Sequence, residues 1–326
     1  MSRELLLLRH GKSDWDSHAD DFHRPLKNRG KRGAQRMGVY LMQQNRIPDL
    51  IISSPAVRAL TTAQKCGKVM GIGARHIQED KRIYLADPYE LLEVLADCPP
   101  QAKRVMLVGH NPGLELLLSF LADGPPETPA DGKLLPTATL ARLGMPDDWR
   151  MLKESQARLT EIMRAADLPK KFPFPSIGAE ELRDRPAYYY TQSAVIPYRI
   201  NNNCLEILII SSSKNKHWVV PKGIADPGHS LQESAAKEAF EEAGIEGQVD
   251  AKALGNYSYP KWGASCDVTV YPMLVERELT DQQWQEDHRK RQWVSAKQAI
   301  KRLKQAELGP MIQALSNQLA VESCPD

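Results

Sequence analysis

Short apolar runs alternate with longer amphipathic stretches through the first half of the chain. The runs that predict buried strands are residues 5–8, 50–52, 105–108 and 140–143. The stretches whose apolar period predicts helices are 31–44, 57–70, 113–121 and 152–166. Because strands that alternate with helices build parallel sheets, we expect an α/β domain with a mainly parallel sheet and helices on both faces.

The pattern changes between residues 168 and 186. This segment holds four prolines and no apolar periodicity, so it predicts an extended linker. Beyond it, strand-like runs lie at 188–200, 205–210, 217–220 and 268–275, and helical patterns at 231–243 and 296–305. We therefore predict one domain over 1–167, a linker over 168–186 and a second, layered domain over 187–326.

Composition narrows the function classes. The 326 residues include 43 basic and 41 acidic side chains, a net charge of +2, which gives no case for nucleic acid as a partner. No apolar run reaches the length of a membrane span, so no membrane partner is expected either. The five cysteines are scattered without a CxxC pair, which argues against a disulfide framework and predicts a cytoplasmic protein.

Basic side chains and histidines follow three of the predicted strands in the first half. Arg9 and His10 follow the first strand, Arg58 comes one helical turn after the second, and His110 follows the third. Because the carboxyl ends of parallel strands meet at one edge of a sheet, we expect these four side chains to converge. A neutral imidazole can attack phosphorus while guanidinium groups hold the phosphoryl oxygens, so the set predicts phosphoryl transfer.

The motifs around these residues closely resemble the histidine phosphatase superfamily, in particular its SixA-like branch. They are RHGKSDW at 9–15, DFHRPL at 21–26, SSPAVRA at 53–59 and VGHNPG at 108–113. The resemblance implies a phosphoglycerate-mutase-like fold that needs no cofactor, with His10 as the nucleophile that becomes phosphohistidine. It also implies that Arg9, Arg58 and His110 bind the phosphoryl group. The proton donor stays open, with Glu90 as one candidate.

By the same resemblance, Asp21 and Arg24 lie at the rim of the pocket and contact substrate.

A helical stretch in the second half carries three carboxylates on one face. Glu238, Glu241 and Glu242 are spaced by three and one, which places them within one turn of each other. Like charges so close repel unless a cation joins them, and hard oxygen ligands suit Mg²⁺ or Mn²⁺. This face therefore predicts a divalent metal site.

Residues 223–245 resemble the Nudix box, a phosphohydrolase motif. Gly223, the three glutamates and Gly244 are in register, whereas His229 and Lys237 replace the usual glutamate and arginine. The resemblance implies a Nudix α/β/α fold whose metal is held by the three glutamates. It leaves open whether Glu241 or Glu242 activates water, with Glu286 as a further alternative.

Residues 284–294 and the helix after them resemble the Nudix subgroup of diphosphoinositol-polyphosphate and diadenosine-polyphosphate hydrolases. The resemblance implies cleavage of a phosphoanhydride. Arg289, Lys290 and Arg291 then become candidates for contacts to further phosphates of the substrate, although a solvated basic turn explains them equally well.

Taken together, these patterns predict a bifunctional phosphohydrolase for a small phosphorylated metabolite, a nucleotide or a polyphosphate. The alternative is a signalling protein, in which the first domain removes phosphate from a phosphohistidine protein and the second senses a nucleotide.

Overall fold

The computed structural model describes residues 3–176 and 179–320. The chain divides into two compact units, Met1–Phe172 and Pro173–Asp326. Each unit has its own sheet and its own buried core.

The first unit is built on a mixed sheet with the strand order β3-β2-β4-β1-β5-β6. Its strands are β1 (Arg3–Arg9), β2 (Leu50–Ser53), β3 (Ile77–Glu79), β4 (Arg104–Gly109), β5 (Thr139–Met145) and β6 (Arg158–Arg164). Its helices are α1 (Asn28–Gln43), α2 (Val57–Val69), α3 (Pro88–Ala96) and α4 (Gly113–Leu121). The first four strands pair in parallel and the last two antiparallel, which confirms the mainly parallel sheet.

Both faces of this sheet are covered, as the alternation along β1 shows. Leu5 and Leu7 belong to the core under α3 and α4, whereas Leu6 and Leu8 belong to the core under α1 and α2. Successive side chains of a strand point to opposite faces, so four consecutive leucines supply both cores. The predicted helices on both faces are confirmed.

The helix predicted over 152–166 is wrong, because this segment contains strand β6. A β-bulge explains the error. The register shift opposite Arg142 and Leu143 leaves Thr160 as the extra residue, so Leu159 and Ile162 pack on the same core although they are three apart. A bulge in a strand thus imitates helical spacing.

The segment predicted as an extended linker, 168–186, holds regular structure. Strands β7 (Phe172–Ser176) and β8 (Ala179–Arg183) form a two-stranded sheet, and Phe172 is buried. Proline cannot donate an amide hydrogen bond, so it is tolerated in edge strands, where one side of the strand is unpaired. Both strands of a two-stranded sheet are edge strands, so the prolines of this segment are compatible with it.

The second unit is built on an eight-stranded sheet with the path β11-β10-β9-β15-β13. Its strands are β9 (Thr191–Asn201), β10 (Cys204–Ser211), β11 (Trp218–Val219), β12 (Lys222–Ile224), β13 (Ile245–Val249), β14 (Gly255–Lys261), β15 (Ala264–Glu278) and β16 (Arg291–Ser295). Its helices are α5 (Leu231–Ala243), α6 (Ala296–Arg302) and α7 (Leu308–Leu319). Helix α5 lies on one core, and α6 and α7 lie on the other, so the α/β/α layering is confirmed.

Two expectations from composition have different outcomes. Among the described cysteines, Cys66, Cys98 and Cys266 are free thiols and Cys204 is disulfide-bonded, so a disulfide occurs although the sequence argued against a disulfide framework. Within residues 3–176 and 179–320, no helix has the length and apolarity that a membrane span requires.

Candidate active sites

The first site forms where β1, β2 and β4 end side by side. His10 follows β1, and its amide donates to the carbonyl of Gly109 at 3.1 Å, at the end of β4. The rings of His10 and His110 have centroids 5.1 Å apart, and both side chains are buried. The sheet thus brings the two predicted histidines together.

Two glycines allow α1 to begin directly beside the nucleophile. A Cβ on Gly11 would lie 2.7 Å from the carbonyl oxygen of Gly30, and a Cβ on Gly30 would lie 2.3 Å from that of Lys12. Such distances are too short for any side chain. The backbone after His10 is therefore held against the first turn of α1.

Hydrogen bonding and burial fix the tautomer and the charge of His10. Its Nδ1 lies 2.8 Å from the carbonyl oxygen of Gly11. A carbonyl can only accept, so Nδ1 carries the proton and Nε2 keeps its lone pair. The pKa of His10 is lowered to about 4, chiefly by burial; the hydrogen bond to Gly11 opposes this, and the charges of Arg58, Arg9 and Arg24 add to the lowering. The imidazole is neutral near pH 7.

Three arginines surround this imidazole. Arg9 donates to the carbonyl of Leu135 at 2.7 Å, and Arg24 and Arg58 both donate to the carboxylate of Asp21, at 2.7 and 2.9 Å. In each of the three the Nε atom is buried and lacks a partner in the described part of the chain. Three guanidinium groups with buried donors at one pocket suit an anionic ligand.

Asp21 connects these arginines to a residue that sequence reasoning missed. Tyr84 donates to Asp21 Oδ2 at 2.8 Å, and its ring packs edge-on against that of His110 at 5.6 Å. Burial raises the pKa of Asp21, but the hydrogen bond from Tyr84 and the charge of Arg58 outweigh it, so the pKa lies below its ordinary value. No motif marks Tyr84, because it meets Asp21 from 63 residues away.

His110 is held by Ser54. The distance from His110 Nε2 to Ser54 Oγ is 2.9 Å, and Ser54 Oγ also accepts the amide of Ala56 at 3.3 Å. The hydroxyl proton of Ser54 is then available to Nε2, which leaves Nδ1–H of His110 as a donor. Burial lowers the pKa of His110 to about 3, with a further effect of His10, and Nδ1 has no partner among the described residues.

Glu90, the candidate proton donor, takes part in the N-terminal cap of α3. Its carboxylate accepts the amide of Asp87, and the Asp87 side chain accepts the amide of Glu90, a capping box that begins α3. This use of the carboxylate explains Glu90 without any part in catalysis.

The second site lies on α5, whose ends follow from the sequence. Ser230 accepts the amide of Glu233, and the Glu233 side chain accepts the amide of Ser230, which forms a capping box. Gly244 ends the helix with a φ of 61°, a conformation that favours glycine. Ala235, Ala239 and Ala243 pack the opposite face onto the sheet.

Glu238 leans over the backbone of β12. A Cβ on Gly223 would lie 2.0 Å from the Glu238 carboxyl carbon, so only glycine leaves room for this carboxylate. Burial raises the pKa of Glu238 to about 7, and the nearby charges of Glu242 and Glu241 raise it further. A bound cation would relieve all three effects.

Glu242 is fixed at both oxygens, whereas Glu241 is not. Glu242 accepts the amide of Lys222 at 3.0 Å through Oε2 and the guanidinium of Arg289 through Oε1. Burial raises the pKa of Glu242. Glu241 is half-buried, and Lys237 approaches it at 3.9 Å.

Arg289 and Arg291, which the sequence suggests as substrate contacts, make hydrogen bonds within the protein. Arg289 is buried and donates to Glu286, Glu242 and the carbonyl of Ser211. Arg291 donates to the carbonyls of Ala243 and Gly244, each at 3.1 Å, and to that of Leu279. Both guanidiniums are thus committed to holding α5 and its carboxylates, and the acceptors come from distant parts of the chain.

The two departures from the Nudix box are accommodated locally. Lys237 pairs with Asp226 at 2.6 Å, so it still ties the helix to the preceding loop. His229 lies 3.9 Å from Glu233. Lysine therefore keeps the junction that arginine usually makes.

The residues of α5 fit a divalent cation by their chemistry. Their ligands are carboxylate oxygens, and the raised pKa of Glu238 shows that the three charges act on one another. Within the described ranges, no group of three His, Cys, Asp or Glu side chains is already gathered closely enough to hold a metal. Glu242 is instead paired with Arg289.

Comparison with known proteins supports both halves. The chain matches the NUDIX domain family over residues 190–315 and the histidine phosphatase superfamily (branch 1) over residues 5–83. It is 30% identical over 147 residues to Nudix hydrolase 21, chloroplastic, of Arabidopsis thaliana, which covers 43% of this chain and 73% of that protein. It is 34% identical over 100 residues to diphosphoinositol polyphosphate phosphohydrolase 3-beta of Bos taurus, covering 29% of this chain and 58% of that protein.

Among solved structures, the chain is similar to a protein from Nakamurella multipartitia assigned as the phosphohistidine phosphatase SixA. The identity is 25% and the TM-score 0.44, over 50% of this chain and 96% of that protein. The chain spans between 54% and 74% of the length of the curated relatives it matches.

Proposed function

The chain belongs to the Nudix hydrolase family and carries a histidine phosphatase domain as well, and from this premise we propose that it is a bifunctional phosphohydrolase. The first domain releases phosphate through a phosphohistidine, and the second cleaves a phosphoanhydride with a divalent cation. The single observation that carries the proposal is the neutral His10, with its free Nε2, among three arginines whose Nε donors are unpaired.

In the first domain, Nε2 of His10 forms a bond to phosphorus as the bond from phosphorus to the leaving oxygen or nitrogen breaks. The Nδ1–H bond to Gly11 steadies the positive charge that develops on the ring. Arg9, Arg58 and Nδ1–H of His110 bind the phosphoryl oxygens, with Arg24 and Asp21 at the rim. Water then attacks phosphorus and restores the neutral histidine.

The first domain suits a leaving group that departs without help from an acid. The carboxylate of Glu90 is engaged in its capping box, and the lowered pKa of Asp21 keeps that carboxyl group ionised near pH 7, so neither is placed to act as the acid. A phosphate released from an anhydride, or an imidazole released from phosphohistidine, meets this condition.

In the second domain, Glu238, Glu241 and Glu242 would hold Mg²⁺ or Mn²⁺. The cation supplies Lewis-acid polarisation of the phosphoanhydride and lowers the pKa of bound water. Both oxygens of Glu242 already accept hydrogen bonds, whereas Glu241 is half-exposed, so Glu241 is the better base for activating water. Glu286 already accepts from Arg289 and is the less suitable alternative.

We propose a small polyphosphorylated metabolite or nucleotide as the substrate of the second domain. The support is the likeness to a protein named as a diphosphoinositol polyphosphate phosphohydrolase. The cytoplasm, where such metabolites are abundant, is the proposed location.

A second candidate is dephosphorylation of a phosphohistidine protein, and an exposed aromatic residue favours it. Trp15 stacks on Arg24 at 3.5 Å at the rim of the pocket and remains 67% exposed. An exposed ring beside the site suits contact with a protein surface.

The test is to separate the two activities in the full-length protein. We expect His10→Ala to lower phosphate release by about 10³-fold or more while Nudix cleavage changes less than about twofold. Glu241→Gln should have the opposite pattern, with a loss of roughly 10²–10⁴-fold in anhydride cleavage. The substrates are nucleoside triphosphates, dinucleoside polyphosphates and a phosphohistidine peptide, each with Mg²⁺ and with chelator.

His76→Ala and Glu276→Gln, both exposed, are the matched controls. Equal loss of both activities in either active-site variant would contradict two separate sites. A phosphatase that needs Mg²⁺ would contradict the assignment of the first site, and activity on the peptide alone would favour the second candidate.

A further inference from the structure

A cavity of about 410 Å³ opens at the end of the first sheet that lies opposite His10. It is lined where β1 and β4 begin and where β5 ends, around Glu4, Arg104 and Gly144. Glu4 and His10 are six positions apart along the chain, about 20 Å at the rise of an extended strand. The cavity is therefore separate from the phosphatase site, and its size falls within the range of small-molecule sites, about 300–1,000 Å³.

Positive charge dominates the lining of this cavity. Its cations are Arg3, Arg46, Lys103, Arg104 and Arg142, and its carboxylates are Glu4 and Asp49. The lining therefore carries a formal excess of three positive charges. Gly144 and Thr160 complete it, so neither an aromatic nor an aliphatic side chain contributes to the lining.

A single carboxylate forms ion pairs with three of the guanidinium groups. Glu4 pairs with Arg104, with Arg46 at 3.3 Å and with Arg142 at 3.7 Å. The other carboxylate, Asp49, accepts the backbone amides of Lys103 and Arg104 at 2.9 and 2.8 Å, so both of these bonds go to main-chain donors. The excess charge is thus not balanced within the cavity.

Two of the cations are committed to the fold. Arg3 donates to the carbonyls of Pro100 and Ala102, and Arg104 donates to those of Asn45 and Ile47 as well as to Glu4. Such bonds hold loops at the base of the sheet. They leave few donors for a ligand.

The other three cations keep donors free. Arg46 has the one long pair with Glu4, and Arg142 uses only its Nε, towards Glu4, Glu161 and Thr160. For the Lys103 ammonium, the described residues provide no partner within bonding distance. Two guanidinium groups and one ammonium at one cavity form a site for an anion with several oxygens.

We propose that this cavity is a second anion site of the first domain, separate from catalysis, that binds a condensed phosphate chain. Guanidinium forks match phosphate oxygens, and a chain of linked phosphates carries the several charges that the excess of three cations requires. The lining has no aromatic side chain on which a nucleobase could stack. The ligand is therefore recognised by its phosphates, whether they are free inorganic polyphosphate or the chain of a nucleotide.

The experiment is calorimetric titration of the full-length protein with inorganic tripolyphosphate, in chelator and at low salt, with His10→Ala added to every protein titrated so that the phosphatase site does not hydrolyse the ligand. We expect Arg46→Gln/Lys103→Gln to bind one tripolyphosphate fewer per chain than wild type, or to bind it at least about tenfold more weakly at that site. Lys153→Gln/Lys301→Gln, which removes the same charge from exposed positions outside the cavity, should titrate like wild type. Wild-type affinity should also fall as salt rises, because the contacts are ionic.

Phosphatase activity of the same variants with His10 retained provides the check on folding, since Arg46 and Lys103 lie outside the catalytic pocket. A titration of Arg46→Gln/Lys103→Gln identical to wild type would overturn the proposal, as would equal weakening in the control. ATP serves as the second ligand. ATP that binds the cavity as tightly as tripolyphosphate would support recognition of the phosphate chain alone, whereas ATP that binds more than about tenfold tighter would overturn it.

Discussion

At the first site a neutral histidine stands among three arginines, and at the second a buried glutamate stands beside two more glutamates. Burial lowers the pKa of His10 to about 4 and raises that of Glu238 to about 7. Desolvation disfavours the charged form in both cases, so the same physical effect moves a base and an acid in opposite directions. The first arrangement suits an anion and the second a cation.

This difference indicates how each domain supplies positive charge to a phosphate. In the proposed mechanism the first uses guanidinium groups, which stay charged at acidic pH, so we expect it to work without a metal and to tolerate acid. The second uses carboxylates, which must lose their protons and acquire a cation before they can act. The Nudix half should therefore depend on metal and pH far more strongly than the phosphatase half.

The largest difference between the two sites should come from replacing the arginine that orients a predicted metal ligand. Arg289 is buried and pairs with Glu242, so Arg289→Ala should leave that carboxylate unoriented. Loss of such a supporting group typically weakens metal affinity by about 10–100-fold. We expect this loss in Mg²⁺ titrations of anhydride cleavage, with phosphate release unchanged.

Lys290→Ala is the matched control, because Lys290 is exposed and adjacent. Its Mg²⁺ dependence should equal that of wild type. If Arg289→Ala instead raises only the KM for substrate, the guanidinium contacts substrate phosphates, as the sequence alone suggested.

The second prediction concerns pH. Protons compete with metal for Glu238, so at limiting Mg²⁺ the kcat/KM of anhydride cleavage should fall about tenfold per pH unit below pH 7. Phosphate release, corrected for ionisation of the substrate, should stay nearly flat from pH 7 to pH 5, because His10 is protonated only near pH 4. A histidine with its ordinary pKa of 6.5 would lose about 30-fold by pH 5.

The measurement is a pair of pH profiles on the same preparation. Parallel profiles would remove the contrast between the sites. A phosphatase limb near pH 6.5 would show that burial and the arginines do not act on His10 as described.

The sequence predicted those parts of both sites that depend on residues close together in the chain. Strand ends placed His10 and His110, and helical spacing placed Glu238, Glu241 and Glu242 on one face. Contacts between distant residues stayed hidden, because Tyr84 reaches Asp21 across 63 positions and Arg289 reaches Glu242 across 47. In the sequence, the basic triplet 289–291 has the same pattern whether its side chains contact substrate or bind a carboxylate of the protein.

The bulge in β6 teaches a related lesson about the fold. Periodicity reports which side chains share a face, and Leu159 and Ile162 do share one. Only pairing with β5, through the register shift at Arg142 and Leu143, decides whether that face belongs to a strand or a helix. Pairing across the sheet is set by tertiary structure, so the local pattern could not decide it.

The smallest predicted effect is on the stability of α5. Its sign should differ between a carboxylate at the predicted metal site, Glu238, and one that caps the helix, Glu233. The pKa of Glu238 is raised to about 7 from an ordinary 4.5. Between these values the folded state binds more protons than the unfolded state, so the free energy of unfolding falls as pH rises through this window. Above pH 7 the folded, metal-free protein carries the full cost of a buried charge.

Glu238→Gln removes that charge, so in chelator at pH 8 it should stabilise α5 by roughly 1–3 kcal/mol, and by almost nothing at pH 4. Glu233→Gln, whose carboxylate caps the same helix, should instead destabilise it by up to about 1 kcal/mol. Hydrogen exchange of the α5 amides reports both changes locally, which matters because a two-domain chain need not unfold in one step. Saturating Mg²⁺ should reverse the order, since only wild type then gains the free energy of metal binding. A Glu238→Gln variant that is less stable in chelator would show that this carboxylate is held in place by the fold and does not await a cation.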